Sequence, residues 1–192
     1  MATLTIVTYP DPVLKQKCTP VEQFDDALHA FLDALAETME TADGIGLAAN
    51  QVAVLQRIFV MDVPLRENEH GETEYTGLLE IINPQIVAKR GEIKYEEGCL
   101  SFPGVNEDVT RAHEVDLKFV DRHGQPQHLT AKGLLAICMQ HELDHLDGIT
   151  FLDRLSPLKR KIALRDYLRE NREQIEEQAQ RNRRRTSAGA VG

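Results

Sequence analysis

Apolar residues recur along this chain with two periods, and the periods sort it into helices and strands. In residues 25 to 41, DDALHAFLDALAETMET, the side chains Leu28, Phe31, Leu32, Leu35 and Met39 share one helical face, and Asp25 and Asp26 suit its N-terminal end. Residues 133 to 148, GLLAICMQHELDHLDG, predict a second helix of about four turns, ended at Gly148. Residues 156 to 180 predict a third, long and charged. Ser156 suits its N-cap, Pro157 its first turn, and Leu158, Ile162, Leu164 and Leu168 its contact face. Between these helices RIFVMDV and LLEIINPQIVA read as strands, rich in Ile and Val. The polar run RENEHGETEYTG joins them as a long loop or hairpin tip. HEVDLKFVD and QPQHLTA alternate around Asp121, Arg122, His123 and Gly124, which signals a hairpin. GEIKYEEGCLSFPG holds one further short strand before a turn punctuated by Gly and Pro. GIGLAANQV reads as a loop whose glycines allow close approach of backbone. DPVLKQKCTP opens with turn chemistry and continues as a short helix or extended run closed at Pro20. No internal repeat is visible and no βαβ rhythm connects the elements, so the expected fold class is α+β.

Composition narrows the class further. A chain of 192 residues has room for one domain with a real core. The formal net charge of −9 argues against a body built to coat nucleic acid, although RNRRR at residues 181 to 185 is locally basic. Three scattered cysteines, Cys18, Cys99 and Cys138, make no disulfide framework and point to a reducing compartment. No apolar run approaches the roughly 20 residues needed to cross a bilayer. The opening MATLTIVTYPDP lacks the basic and apolar regions of a secretory signal. A cytoplasmic protein is expected, with residues 1–180 as one domain that includes the C-terminal helix and 181–192 as a basic, flexible tail.

The candidate chemistry lies in the second helix. His141, Glu142 and His145 form a His-Glu-x-x-His pattern, in which two histidines four apart grip one metal ion and the glutamate moves a proton. Shuffling this composition would produce the pattern roughly one time in fifty, so its surroundings must decide. Leu134, Leu135, Ile137, Cys138 and Met139 precede it, and a helix so apolar tolerates His-Glu-His only when those groups are satisfied. A metal would satisfy them. A metzincin peptidase would take its third ligand from the position that Phe151 occupies here. A thermolysin-like peptidase would take a glutamate near Arg165 and Asp166, where Glu170 lies slightly too far along. The other candidate ligand is Cys99, between a glycine and a Pro-Gly turn; the alternative for one cysteine is a small buried hydrophobe.

Three segments in order, GIGLAANQ from Gly44, EGCLS at 97 to 101 and HELDH at 141 to 145, resemble the three signature motifs of bacterial peptide deformylases. The likeness extends from about Tyr9 to Asp153. It implies an α+β fold with mixed or antiparallel strands wrapped around a central metal-binding helix. It implies that Cys99, His141 and His145 bind the metal, and that Glu142 is the acid/base. By the same resemblance, Gln51 and the backbone N–H of Leu100 receive the oxyanion. Gly46 presents its backbone to the peptide and Ile45 walls the methionine pocket. The family characteristically uses Fe(II), with zinc or nickel able to substitute; on ligand grounds alone a Cys/His₂ site suits zinc. The implied reaction is hydrolysis of the N-formyl group from formyl-methionine of newly made polypeptides. The alternative is a His-Glu-x-x-His metallopeptidase.

Further readings follow from position. Leu134 and Cys138 share the helix face of His141, so the ligand face continues into an apolar wall suited to a thioether side chain. Ile137 and Tyr95 are further candidates for that pocket, plain core packing being the other reading of Ile137. Glu97 and Arg111 are either an ion pair bracing the Cys99 loop, by analogy with relatives, or two unrelated surface charges. His70, His113, His123 and His128 lie in polar or turn contexts and receive no role. Asn106 stands where many relatives have arginine, bordering the substrate groove, and Thr110 where they have proline. The partners expected are N-formylated nascent chains, with association of the C-terminal helix and RNRRR with ribosomal RNA set against a solvated helix and tail. No membrane or DNA partner is expected.

Overall fold

The structure is a computed structural model, and it describes residues 3–67, 69–177 and 179. The basic run at 181 to 185 and the expected tail over 181–192 lie outside the described residues.

The first helix, α1 (Asp26–Thr41), begins where Asp25 caps it by accepting from Leu28 N–H at 3.0 Å. Leu28, Leu32, Leu35 and Met39 of its apolar stripe are buried, while Phe31 is half-buried. The central helix, α2 (Gly133–Leu146), ends at Gly148, whose φ of 71° only glycine adopts without strain. The last helix, α3 (Pro157–Glu170), starts as expected, with Ser156 as cap and Pro157 in the first turn. It is shorter than the 25-residue apolar and charged pattern suggested. Asn171 closes it, its side chain donating to Tyr167 O at 3.0 Å and competing for a helical carbonyl. Residues 172–177 then form a separate helical turn.

Among the described residues, nine strands make three antiparallel sheets. The main sheet runs β1 (Gly46–Ala48), β2 (Ile58–Met61), β5 (Leu79–Arg90), β8 (Glu114–Val120), β9 (Pro126–Lys132) in spatial order. β3 (Pro64–Glu67) with β4 (Thr73–Tyr75), and β6 (Ile93–Gly98) with β7 (Asn106–Arg111), are two-stranded. The β8–β9 hairpin turns at 121–124, as the alternation indicated. The polar run after residue 65 is the β3–β4 hairpin. β7 was not expected, because NEDVTR is polar at five of its positions and turns only Val109 and Arg111 fully inward. GIGLAANQV is less loop-like than expected, forming β1 and then a short 3₁₀ helix, Ala49–Val52.

β2 explains why an unbroken apolar run is a strand here. Ile58 and Val60 face α1, alongside Leu47 and Ile82, whereas Phe59 and Met61 face α2 with Ile81, Val115 and Leu117. Both faces are therefore covered by helices. A third cluster joins Phe102 and Val109 to Phe151, Tyr167 and Ala163, with Tyr9 and Cys99 packed against it. This cluster ties α3 and the N-terminal segment to the loop that bears Cys99. Tyr9 and Phe102 stack at 5.0 Å, and Tyr167 OH donates to Tyr9 O at 2.9 Å. The α+β expectation, with strands around a central helix, holds.

Candidate active site

α2 is buried almost throughout its last three turns, and His141 and Glu142 line the space between β1 and the β6–β7 hairpin. Cys99 follows directly on β6. Its Sγ lies 3.2 Å from His145 Nε2. Donor atoms of Cys99, His141 and His145 all fall within 4.8 Å of one another. One thiol and two imidazoles at that spacing can each reach a common divalent cation at roughly 2.0–2.3 Å, so the residues fit a metal. Burial holds His145 well below the usual histidine range, keeping it in the neutral form that coordinates.

The orientation of His141 is set from behind. Its Nδ1 meets Glu97 Oε2 at 2.9 Å, which leaves Nε2 for the site. Arg111 grips the same carboxylate with two hydrogen bonds, Nε to Oε1 at 2.7 Å and Nη2 to Oε2 at 2.9 Å. Both side chains are buried, so Glu97 and Arg111 are the bracing pair and not unrelated surface charges. Burial works to raise the Glu97 carboxyl, but the hydrogen bonds from Arg111 and His141 outweigh it and hold it at about 2. The chain of charges continues through residues that no sequence motif singles out. Arg111 also bonds Asp144, which stands on α2 between the two histidines, and Arg154 bonds Asp144 from the other side. One signal could have exposed Asp144: a carboxylate inside a buried helix must be paired.

Glu142 is buried, and its Oε2 has no partner among the described residues. Burial pushes its carboxyl up to about 7. A cation beside it would pull that value back down. β1 lies against the carboxylate. A Cβ added at Gly46 would meet Glu142 Oε1 at 2.6 Å and Cys138 Sγ at 2.9 Å, so glycine there brings main chain directly beside the carboxylate.

Gln51 and Leu100 flank the thiol. Gln51 Nε2 donates to Ser101 Oγ at 3.0 Å and lies 3.5 Å from Cys99 Sγ. Leu100 N–H has no backbone acceptor among the described residues. Asn50, in the same short 3₁₀ helix as Gln51, donates to His145 O at 2.6 Å and so fastens that helix to α2. Neither Ser101 nor Asn50 was singled out from sequence.

A cavity of about 440 Å³ opens beside these groups. Leu134, Ile137 and Cys138 form its α2 wall, so Ile137 is a lining residue as well as a core one. Ile45 and Tyr95 stand at the rim, 37% and 41% exposed, and contribute edges more than depth. Asn106 is also at the rim, its Oδ1 filling the space a Cβ on Gly98 would need. Thr110 points outward from β7, away from the cavity. His145 is 1% exposed and lies behind the lining. Phe151, at the position where a metzincin would place a third histidine, stacks at 6.0 Å on His141 and belongs to the aromatic cluster.

Comparison with known proteins agrees with this arrangement. The sequence model of the polypeptide deformylase family matches residues 3–161. The peptide deformylase of Wolinella succinogenes is 48% identical over 158 residues, covering 82% of this chain and 91% of that protein. The crystal structure of a peptide deformylase from Legionella pneumophila superposes with a TM-score of 0.79 at 41% identity, covering 91% of this chain and 98% of that one. That of the Ehrlichia chaffeensis peptide deformylase in complex with actinonin gives 0.81 at 40% identity, covering 90% and 99%.

Proposed function

The chain belongs to the polypeptide deformylase family, and from that premise we infer how its own residues carry out the reaction. The protein is a metal-dependent hydrolase that removes the N-formyl group from the N-terminal formyl-methionine of newly made polypeptides and releases formate. The metallopeptidase alternative is set aside, because the third donor near the two histidines is Cys99 and not a residue beyond the helix.

We propose Cys99, His141 and His145 as the metal ligands, with Glu97 orienting His141. Bound there, the ion supplies Lewis-acid activation of a water and of the formyl oxygen. Iron(II) is the proposed native metal, with zinc or nickel able to replace it. Glu142 accepts the proton of the attacking water and delivers it to the departing amine. Its burial raises its affinity for that proton, and the neighbouring cation, which acts in the opposite sense, favours giving the proton back. The oxygen of the formyl group becomes negative as the carbon turns tetrahedral. The Gln51 amide and the Leu100 N–H, which flank the thiol, are the donors we assign to it.

The methionine side chain is proposed to lie along Leu134, Ile137 and Cys138, with Ile45 and Tyr95 at the mouth. Gly46 offers main chain to the peptide. A formyl carbon bears only hydrogen, so a narrow site admits it and excludes a larger acyl group. Equal turnover of an N-acetyl peptide would refute that part of the proposal.

The observation carrying the reading is the convergence of one thiol and two imidazoles beside a buried glutamate. Formate release from a formyl-Met tripeptide tests it. Glu142→Ala is expected to lower kcat by about 10²–10⁴-fold, and Cys99→Ser to abolish turnover. Metal analysis after anaerobic purification tests iron. We further propose a cytoplasmic location and a single catalytic domain over 1–180. α3 exposes Leu158, Ile162 and Leu168 among basic residues, which supports ribosome association. Ribosome pelleting at low and high salt, with and without residues 176–192, tests this.

A further inference from the structure

We infer that Ser101 is a positioning residue for Gln51, its hydroxyl deciding where the second amide hydrogen of Gln51 points. The inference rests on the oxyanion reading of Gln51 given above.

Gln51 is 2% exposed and its amide is pinned at both ends. Oε1 accepts from Ala48 N–H at 2.9 Å, and Nε2 donates to Ser101 Oγ at 3.0 Å. The first bond settles which end of the amide is which, since a flipped amide would set two donors against each other at Ala48. The second bond uses one of the two Nε2 hydrogens. The other is then directed away from Ser101, toward the side where Cys99 Sγ lies 3.5 Å off. Without the hydroxyl, the amide keeps the Ala48 anchor and its long hydrogen bond to Cys99 Sγ, and can turn about its terminal torsion, which is soft.

The main chain of both residues is held independently of this bond. Val7 N–H donates to Gln51 O at 2.7 Å, and Tyr9 N–H donates to Ser101 O at 2.9 Å. The N-terminal segment therefore clasps the 3₁₀ helix and the Cys99 loop from outside. Removing the Ser101 hydroxyl leaves that clasp intact, so the effect on the amide can be separated from any effect on the fold.

The test is a double-mutant cycle on the metal-loaded enzyme with a formyl-Met tripeptide, using Ser101→Ala, Gln51→Ala and the pair. Ser101→Cys is a second variant that fills the same space with a weak acceptor. Thermal melts and the absorption spectrum of the cobalt(II)-substituted protein accompany the kinetics. The expected result is a fall in kcat of about 10-fold in Ser101→Ala and Ser101→Cys, smaller than the ~10²–10³ typical of losing a donor outright. KM and the cobalt spectrum should stay near wild type, and Ser101→Ala should cost nothing further in the Gln51→Ala background. Wild-type kcat in both serine variants would overturn the inference. So would an equal fall in the two backgrounds, or a change confined to KM. Wild-type kcat in Gln51→Ala would remove the oxyanion reading itself, and this inference with it.

Discussion

At Gly46 the main chain passes so close to Glu142 that a Cβ would lie 2.6 Å from its Oε1. Gly46→Ala is therefore expected to displace the carboxylate and lower kcat/KM by on the order of 10²-fold, since about 1 Å of misplacement is enough. Formate release beside a thermal melt checks that the loss is catalytic. The three thiols separate on equally local grounds. Burial pushes Cys18 up to about 11, against a smaller opposing pull from Arg57, and it pushes Cys138 well above the usual thiol range. A thiol with a raised pKa stays protonated and unreactive below that value. With iodoacetamide at pH 8, mass spectrometry of the folded holoprotein should find both unmodified, and Cys99 modified only after metal is stripped. Early labelling of Cys18 would contradict its burial. At this scale the clustering of Cys99, His141 and His145 beside Glu142 and Gln51 was legible because these residues lie in short motifs. Ser101 and Asn50 were not, because a buried hydroxyl or amide has no pattern of its own until its partner is placed.

Elements are joined here by close approaches that sequence hides. The end of α2 runs under the N-terminal segment, and a Cβ at Gly148 would meet Lys15 O at 2.5 Å. Cys18 N–H donates to Leu146 O at 2.8 Å across the same junction. Gly148→Ala combines that clash with a left-handed backbone, and should destabilise by about 1–3 kcal/mol or more, read from the urea midpoint. Behind α2, Arg111 stands between the carboxylates of Glu97 and Asp144, all three buried. Arg111→Met leaves two negative charges without their shared partner and is expected to cost about 3–5 kcal/mol. An unchanged denaturation curve would mean that the pairing is weaker than its geometry. The elements themselves followed from periodicity where one face is buried, as in α1 and the β8–β9 hairpin. They failed to show where polarity dominates, as in β7, and where a side chain interrupts a helix, as at Asn171.

Across the whole molecule, α3 reaches the site through aromatic rings. Tyr167 packs on Phe102 at 5.5 Å and on Tyr9 at 5.9 Å. Phe102 lies three residues from the thiol, and Phe102 N–H donates to Cys99 O at 2.9 Å. Tyr167→Ala should cost about 3–5 kcal/mol, as large aromatic truncations do, and should lower activity together with stability in one unfolding transition. A separate early transition for α3 would show that it is no part of the catalytic domain. The α+β class could be read from the order of elements. The tie between the last helix and the Cys99 loop could not, since residues 102 and 167 meet only after folding.

That tie has a consequence for the enzyme's own birth. Its thiol at residue 99, its imidazoles at 141 and 145 and the ring at 167 that buttresses them leave the ribosome one after another, in that order. A half-made copy holds no working centre and cannot process its neighbours. The catalyst that matures nascent chains becomes competent only once residue 167 of its own chain has emerged.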